Sequence, residues 1–383
     1  LADGPVLTTQ NSHFHDEKEY GEPVMKTHVL GFFTPWIIYI MITLLHLVLP
    51  GKWMKGYVKD DKTGEVLSYR LNGLLVLISS IILWFVLGYL GWVPYDWLYT
   101  VRWSSLIGAI SIGVIFSLII VLTQPSTGKS LLTDLFLGRL KNPQTPKGRI
   151  DAKMWLYLIG AVMLQLNVLS FAAHHYIAYK DLNPGVFVSA LLLTYFIWDY
   201  LTFEKVHLYT YDFIAERVGL KLGFGCLAFY PYFYAIALWA TVDKSDPGHP
   251  LWVYGLFILV FLSGWVLARG ANMQKYTFKT QPGKKFLWIE PGTMSLGDKT
   301  ILVNGWWGLS RHINYLGEVL MGVGIALATG YPGVWLVWLY PLYYVALLFP
   351  RQHDDDRICL AKYGPLWEDY MKKVKHRIIP FIY

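Results

Sequence analysis

The stretch Trp103–Gln124, WSSLIGAISIGVIFSLIIVLTQ, runs for 22 residues without a charge. Wound as a helix at 1.5 Å per residue, that length crosses a hydrocarbon layer about 30 Å thick. The same reading recurs at about residues 30–50, 71–91, 154–174, 184–203, 219–242, 250–270, 314–330 and 333–350, which makes nine spans. A shorter apolar segment at 300–309 reads as a tenth, partly inserted helix. The expected fold class is therefore all-α, a polytopic transmembrane helical bundle of about ten helices over residues 30–350. A polar segment, 1–29, precedes it, and a cytoplasmic segment, 351–383, follows and completes the site described below.

Composition agrees. The 383 residues are 55% hydrophobic and only 15% charged, whereas soluble domains carry about a quarter charged residues. A soluble multidomain protein is excluded, and membrane lipid is the expected surroundings. The net charge of +7 does not signal nucleic-acid binding, because the basic residues collect in alternate loops. One loop holds Lys129, Arg139, Lys141, Lys147, Arg149 and Lys153; another holds Lys275, Lys279, Lys284, Lys285 and Lys299. The connections at 91–102 and 175–183 offer only Arg102 and Lys180. The basic loops, with the tail from Arg351, are expected in the cytoplasm. Nine crossings put the N-terminus outside, as acidic Asp16, Glu17, Glu19 and Glu22 permit; a tenth crossing reverses it. Leu1–Thr27 shows no apolar core of a signal peptide. Cys226 and Cys359 form no CxxC, so neither a disulfide framework nor a metal site is expected.

Four clusters concentrate polar residues near span ends on the basic side. In RGANMQKYTFK, Arg269–Lys279, the residues Asn272, Lys275 and Lys279 are spaced to share one helical face. The lysines suit phosphates as point charges, although snorkelling to lipid headgroups explains them equally. In NGWWGLSRHINYLGE, Asn304–Glu318, Trp306 or Trp307 offers a flat face to an aromatic ring, Arg311 a charge, and Asn314 and Tyr315 hydrogen bonds. An interfacial aromatic belt needs no Asn or His. The third cluster, PRQHDDDRICLAKYGPLWEDY, Pro350–Tyr370, sets Asp355, Arg357, Lys362, Tyr363 and Tyr370 against a span end. The fourth, WDYLTFEKVHLYTYD, Trp198–Asp212, supplies Asp199, Glu204, His207 and Asp212, functional if inside the membrane and merely wetted if at its surface.

Other signals carry less. Gly322 and Gly324 lie inside an apolar span and suit close helix packing better than a dinucleotide turn. His174 and His175 lack carboxylate or Cys neighbours at ligand spacing; Asp354, Asp355 and Asp356 suit a cation, and an acid-rich helix start explains them equally. Together the clusters describe an anionic, flat-ringed cofactor held from the cytoplasm beside an apolar cavity.

The motifs RGANMQKYTFK, LVNGWWGLSRHINYLGE and DRICLAKYGPLWEDY…RIIPFIY resemble the sterol reductase family. That family includes the delta-14 and delta-7 reductases and the membrane domain of the lamin B receptor. FLGRLKNP at 136–143 and TYDFIAERVG at 210–219 extend the resemblance, and NYLGE and IAER look closest to the delta-14 enzymes. The resemblance implies a ten-helix membrane enzyme that uses NADPH to saturate the 14,15 double bond of a sterol. It implies a cofactor set of Lys275, Lys279, Leu302, Trp307, Asn314, Tyr315, Arg351, Asp355, Cys359, Lys362, Tyr363 and Tyr370. Departures from the family pattern fall at Leu140, Gln144, Cys226, Asn304 and Asp354. The implied location is the endoplasmic reticulum or nuclear envelope in a eukaryote and the inner membrane in a bacterium.

An isolated alkene is not electrophilic, so its reduction needs a proton at carbon 15 before hydride reaches carbon 14. The acid must stay protonated in a site that excludes water. Candidates are Tyr370 relayed through Asp355, or Glu204 or Asp212, with Phe229, Tyr230, Tyr232, Phe233 and Tyr234 as aromatic faces for the cation. The competing readings are a delta-7 or other sterol double-bond reductase, an isoprenylcysteine-type methyltransferase, and a non-catalytic sterol-binding scaffold. The sequence leaves the oligomeric state open.

Overall fold

The structure is a computed structural model that describes residues 17–60, 63–180 and 183–383, with side chains from residue 25 onward. The acidic side chains of residues 16–22, invoked above for orientation, lie outside that description. In chain order the main elements are α1 (Glu17–Val48), β1 (Lys52–Lys59), β2 (Val66–Leu71), α2 (Gly73–Tyr89), α3 (Arg102–Leu122), α4 (Ala152–Tyr179) and α5 (Pro184–Thr202). There follow α6 (Leu220–Thr241), α7 (Leu251–Thr280), β3 (Thr293–Leu296), β4 (Lys299–Leu302), α8 (Ile313–Ala328), α9 (Leu339–Tyr363) and α10 (Pro365–Lys373).

Six of these helices, α1 and α3 to α7, are long and apolar enough to cross a membrane, while α2 and α8 are shorter apolar helices. The chain is a helical integral membrane protein. Each of the nine apolar runs in the sequence falls on a helix. The segment at 300–309 does not: it is strand β4 followed by one helical turn, Trp306–Leu309. Lys299, Thr300, Ile301 and Leu302 pair antiparallel with β3 through a two-residue turn in which Gly297 has φ +61°, as a type II′ turn requires. Three consecutive apolar residues, Ile301–Val303, fit a strand as well as a helix, so the short run misled.

Helix α4 is the post of the bundle. Its residues from Leu156 to Val168 are almost entirely enclosed, while apolar side chains of the outer helices, such as Ile107 and Leu118 of α3, face outward where lipid covers them. Asp151 caps its start by accepting from the Met154 N–H at 3.0 Å, and Asn183 caps α5 in the same way just before Pro184.

Helix α6 is broken for an identifiable reason. Pro231 has no N–H to give the carbonyl of Leu227, four residues back. The preceding turn, Gly225–Phe229, widens to a π-turn, and the Tyr39 hydroxyl donates to the Leu227 carbonyl instead. The Pro231 carbonyl accepts from Asn167 of α4 at 2.9 Å. This bulge turns Phe229, Tyr230 and Tyr234 toward the bundle interior.

Helices α7 and α8 cross closely because glycines line the contact. A Cβ on Gly317 would stand 2.4 Å from the Ala268 nitrogen and 2.5 Å from the Gly264 oxygen; one on Gly324 would meet the Phe261 backbone at 2.7 Å. The small residues of α8 therefore serve helix packing. Helix α9 continues through Pro350 without a break, and Gly364, at φ +60° and ψ −132°, turns the chain back so that α10 packs beside it.

Candidate functional site

A cavity of about 440 Å³ lies where α5 to α10 meet, within the size range of small-molecule sites. Its residues come from helical faces. On α7 they are Trp265, Ala268, Arg269, Asn272, Lys275 and Lys279, spaced by threes and fours; on α9, Arg351, Asp355, Cys359 and Lys362 follow the same rule. Hairpin β3–β4 adds Leu302, the turn after it Trp307, the start of α8 Asn314 and Tyr315, and α10 Tyr370. Asp212 lines the cavity from the segment before α6.

Every residue of the cofactor set implied by resemblance lines this one cavity, and so does Asp212. Glu204 does not. It is buried, borders a separate void of about 10 Å³, and accepts from the Gly73 N–H at 3.0 Å, so that it caps α2. Burial lifts its carboxyl to about 7, against the pull of that hydrogen bond.

The cavity mouth is cationic. Lys279 reaches the Tyr363 hydroxyl at 3.4 Å, Lys362 bonds the Tyr57 hydroxyl, and Lys275 sits 5.4 Å from the Trp307 ring centre. Among the described residues, no carboxylate comes within ion-pair distance of these three lysines. Tyr57 belongs to β1, and sequence reasoning passed over it because the first hundred residues read only as spans. Cys359 is free and half-buried, and burial raises its thiol to about 11.

Deeper in, the groups pair. The Tyr315 hydroxyl donates to Asp355 Oδ2, and the His312 ring stacks on Tyr315 with Nδ1 3.7 Å from that same oxygen. Burial pushes the Asp355 carboxyl above its ordinary value, opposed by His312 and the tyrosine hydroxyl. Asp212 is held by Arg351 Nη1 at 3.1 Å, while Arg351 Nη2 reaches Glu216 at 3.3 Å. The Tyr370 hydroxyl, well above its usual range through burial, donates to the Trp307 carbonyl at 2.8 Å.

The two tryptophans divide their labour. Trp306 donates its Nε1 to the Val266 carbonyl at 3.0 Å and lies outside the cavity lining, whereas Trp307, anchored to the Ala271 carbonyl at 2.9 Å, turns toward it. Gln274 fastens the turn by accepting from the Trp306 N–H at 3.1 Å and donating to the Asn304 carbonyl at 3.2 Å. Arg311 lines the cavity and also ties the C-terminal segment to it. Its Nη1 donates to the carbonyls of Val374 and Lys375 at 2.8 and 3.0 Å, and its N–H and that of His312 pair with the carbonyls of His376 and Arg377. The Arg–His pair thus clasps the C-terminal segment to the site.

Below the polar layer the walls are Phe229, Tyr230 and Tyr234 of α6, Met321 of α8, and Tyr343, Tyr344 and Leu347 of α9. One chamber therefore joins a basic mouth, a hydrogen-bonded middle and an aromatic, apolar floor.

The family described as "Ergosterol biosynthesis ERG4/ERG24 family" matches residues 6–383. The chain is 30% identical over 379 residues to a Delta(14)-sterol reductase of Arabidopsis thaliana, covering 94% of this chain and 96% of that one. It is 30% identical to Delta(14)-sterol reductase ERG24 of Saccharomyces cerevisiae (93% and 85% covered) and 31% to Delta(14)-sterol reductase TM7SF2 of Mus musculus (91% and 86%). With its motifs, its helical membrane fold and this match over nearly all its length, the chain belongs to the ERG4/ERG24 family of sterol reductases.

Proposed function

We propose that this protein is an oxidoreductase that reduces the 14,15 double bond of a sterol with NADPH, bound from the cytoplasmic side. The observation that carries the reading is the single chamber in which lysines without a carboxylate partner among the described residues stand above an aromatic, apolar floor. The names of its relatives support the choice of sterol and bond.

The residues fit the cofactor. Three lysines without carboxylate partners among the described residues match a multiply charged phosphate ligand, since cations left so close together in a half-buried site repel one another until an anion arrives. Lys275, Lys279 and Lys362 would hold phosphates, and Trp307 and Tyr363 would offer ring faces. Asn314, Arg351 and the backbone near Leu302, Cys359 and Tyr370 would complete the holding set. When bound, NADPH supplies hydride.

The chain's own task is the proton. The Tyr315 hydroxyl donates to Asp355 and orients it, and burial favours the protonated carboxyl that serves as the acid. This pair is placed to protonate carbon 15, leaving a tertiary cation at carbon 14. His312, which lies between Asp355 and Asp356, is placed to restore the proton. Asp212 is tied to Arg351 and suits the role of counter-ion. Tyr370 bonds the Trp307 carbonyl rather than Asp355, so in this reading it fixes the wall of the site. The rings of Phe229, Tyr230 and Tyr234 face the developing cation and exclude water.

The test is Tyr315→Phe beside Asp355→Asn, read by NADPH binding and by sterol turnover. Loss of turnover by about a hundredfold or more with NADPH still bound is the expected result. Full turnover in both variants would remove the pair from the mechanism.

A further inference from the structure

Asp199, Arg269 and Glu318, charged groups in the membrane-spanning wall of the cavity, are used by neither the cofactor nor the proton reading. Asp199 of α5 and Arg269 of α7 form a bidentate pair, with Nε 2.9 Å from Oδ2 and 3.2 Å from Oδ1, and the indole of Trp265 also donates to Asp199 at 3.1 Å. The guanidinium rests 4.7 Å from the Phe203 ring centre. These bonds occupy Nε and Nη2, yet Arg269 Nη1 is buried with no hydrogen-bond partner among the described residues. The third group, Glu318 of α8, follows the glycine that packs against Ala268, so it emerges beside Arg269. Both line the cavity, as does Tyr344, whose hydroxyl accepts from Tyr340 at 3.1 Å.

Fastening α5 to α7 accounts for the Asp199–Arg269 bridge. It accounts neither for a donor left unanswered at Nη1 nor for a carboxyl turned into an apolar chamber, both expensive inside a membrane. A hydroxyl answers both at once, because it accepts one hydrogen bond and donates another. The placement is also suitable. Arg269 precedes Lys275 by six residues, about 9 Å along the helix, and Glu318 lies about one turn beyond Asn314, so the two sit on the floor side of the Tyr315–Asp355 pair. A sterol carries its hydroxyl on ring A, at the far end of the fused rings from the 14,15 bond.

Building on the sterol reading above, we propose that Arg269 and Glu318 form the subsite that receives the 3-hydroxyl of the substrate, Arg269 Nη1 donating a hydrogen bond to its oxygen and the Glu318 carboxyl accepting a hydrogen bond from it. They are positioning residues remote from the reacting carbons, so they govern KM more than kcat.

The experiment compares a 14,15-unsaturated sterol with its 3-deoxy analogue in the purified protein, alongside Glu318→Met. In the unsubstituted protein the analogue raises KM about 10- to 100-fold with kcat nearly unchanged, the range expected for hydrogen bonds to charged groups. Glu318→Met raises the KM of the hydroxylated sterol toward that of the analogue, leaves the analogue's KM where it was, and leaves the Kd for NADPH unchanged. Equal KM values for the two sterols in the unsubstituted protein, or equal losses on both in the variant, would overturn the subsite while leaving the sterol reading intact. Reduction of neither sterol would overturn the sterol reading and the subsite with it. If Glu318→Met fails to fold, the comparison in the unsubstituted protein decides alone.

Discussion

The hydroxyl of Tyr315, at the start of α8, is hydrogen-bonded to the carboxylate of Asp355, two turns before the end of α9. Two helices that meet at the cavity are thereby joined by one hydrogen bond across it. The consequence is a pH dependence of definite sign. Burial raises the Asp355 carboxyl, so its protonated fraction falls as pH rises through its elevated value. The rate of sterol reduction is expected to decline across that interval in a kcat–pH profile. Asp355→Asn should lower kcat by about 10² or more and remove that limb. A variant that kept both rate and limb would assign the acid elsewhere.

The lysines at the mouth predict a salt-sensitive affinity. Removing any one of Lys275, Lys279 or Lys362 by substitution with Ala should raise the Kd for NADPH about tenfold, with a smaller dependence on ionic strength. Equilibrium titration at two salt concentrations reads both. Unchanged affinity in all three variants would return these residues to lipid headgroups.

The crossing of α7 and α8 predicts a packing defect with a functional echo. Gly317→Ala places a methyl group 2.4 Å from the Ala268 backbone nitrogen, so the helices must separate. Overpacking of this kind costs about 1–3 kcal/mol. Thermal unfolding in detergent should show the loss, together with weaker sterol binding, because Arg269 and Glu318 flank the contact.

Glu204 predicts stability rather than rate. Its carboxyl stands at about 7 in the folded chain and near 4.5 when exposed, so the folded state holds its proton more tightly. The stability from that proton is fully present below about 4.5 and is lost as pH rises through about 7. Glu204→Gln should therefore raise Tm by about 2–6 °C at pH 8 and change it little at pH 5. Sterol turnover should be nearly unaffected, since the residue borders a different void from the cavity.

Much of this was legible in the residues because lipid selects so plainly. Long uncharged runs marked the helices, and spacing by threes and fours placed Lys275 and Lys279 on one face. What stayed hidden was tertiary. Arg311 reads as a ligand-binding charge and does line the cavity, but its Nη1 also holds the carbonyls of Val374 and Lys375, a partnership across 63 residues that no local pattern announces. Tyr57 meets Lys362 across 305 residues, from a hairpin that hydropathy alone does not reveal. Asp355 was expected to relay to Tyr370, whereas its bonded partner is Tyr315; adjacent motifs gave all three residues but not their pairing. Arg269 and Glu318, each inside a recognised motif, acquired a separate meaning only once the cavity wall was seen.

The most direct measurement is consumption of NADPH by the purified protein in the presence of a 14,15-unsaturated sterol, with the product identified by mass spectrometry. The account predicts stoichiometric oxidation of NADPH and a sterol saturated at that bond, with S-adenosylmethionine neither stabilising the protein nor consumed. Thermal stabilisation by S-adenosylmethionine but not by NADPH, or no oxidation of NADPH with any unsaturated sterol, would contradict it.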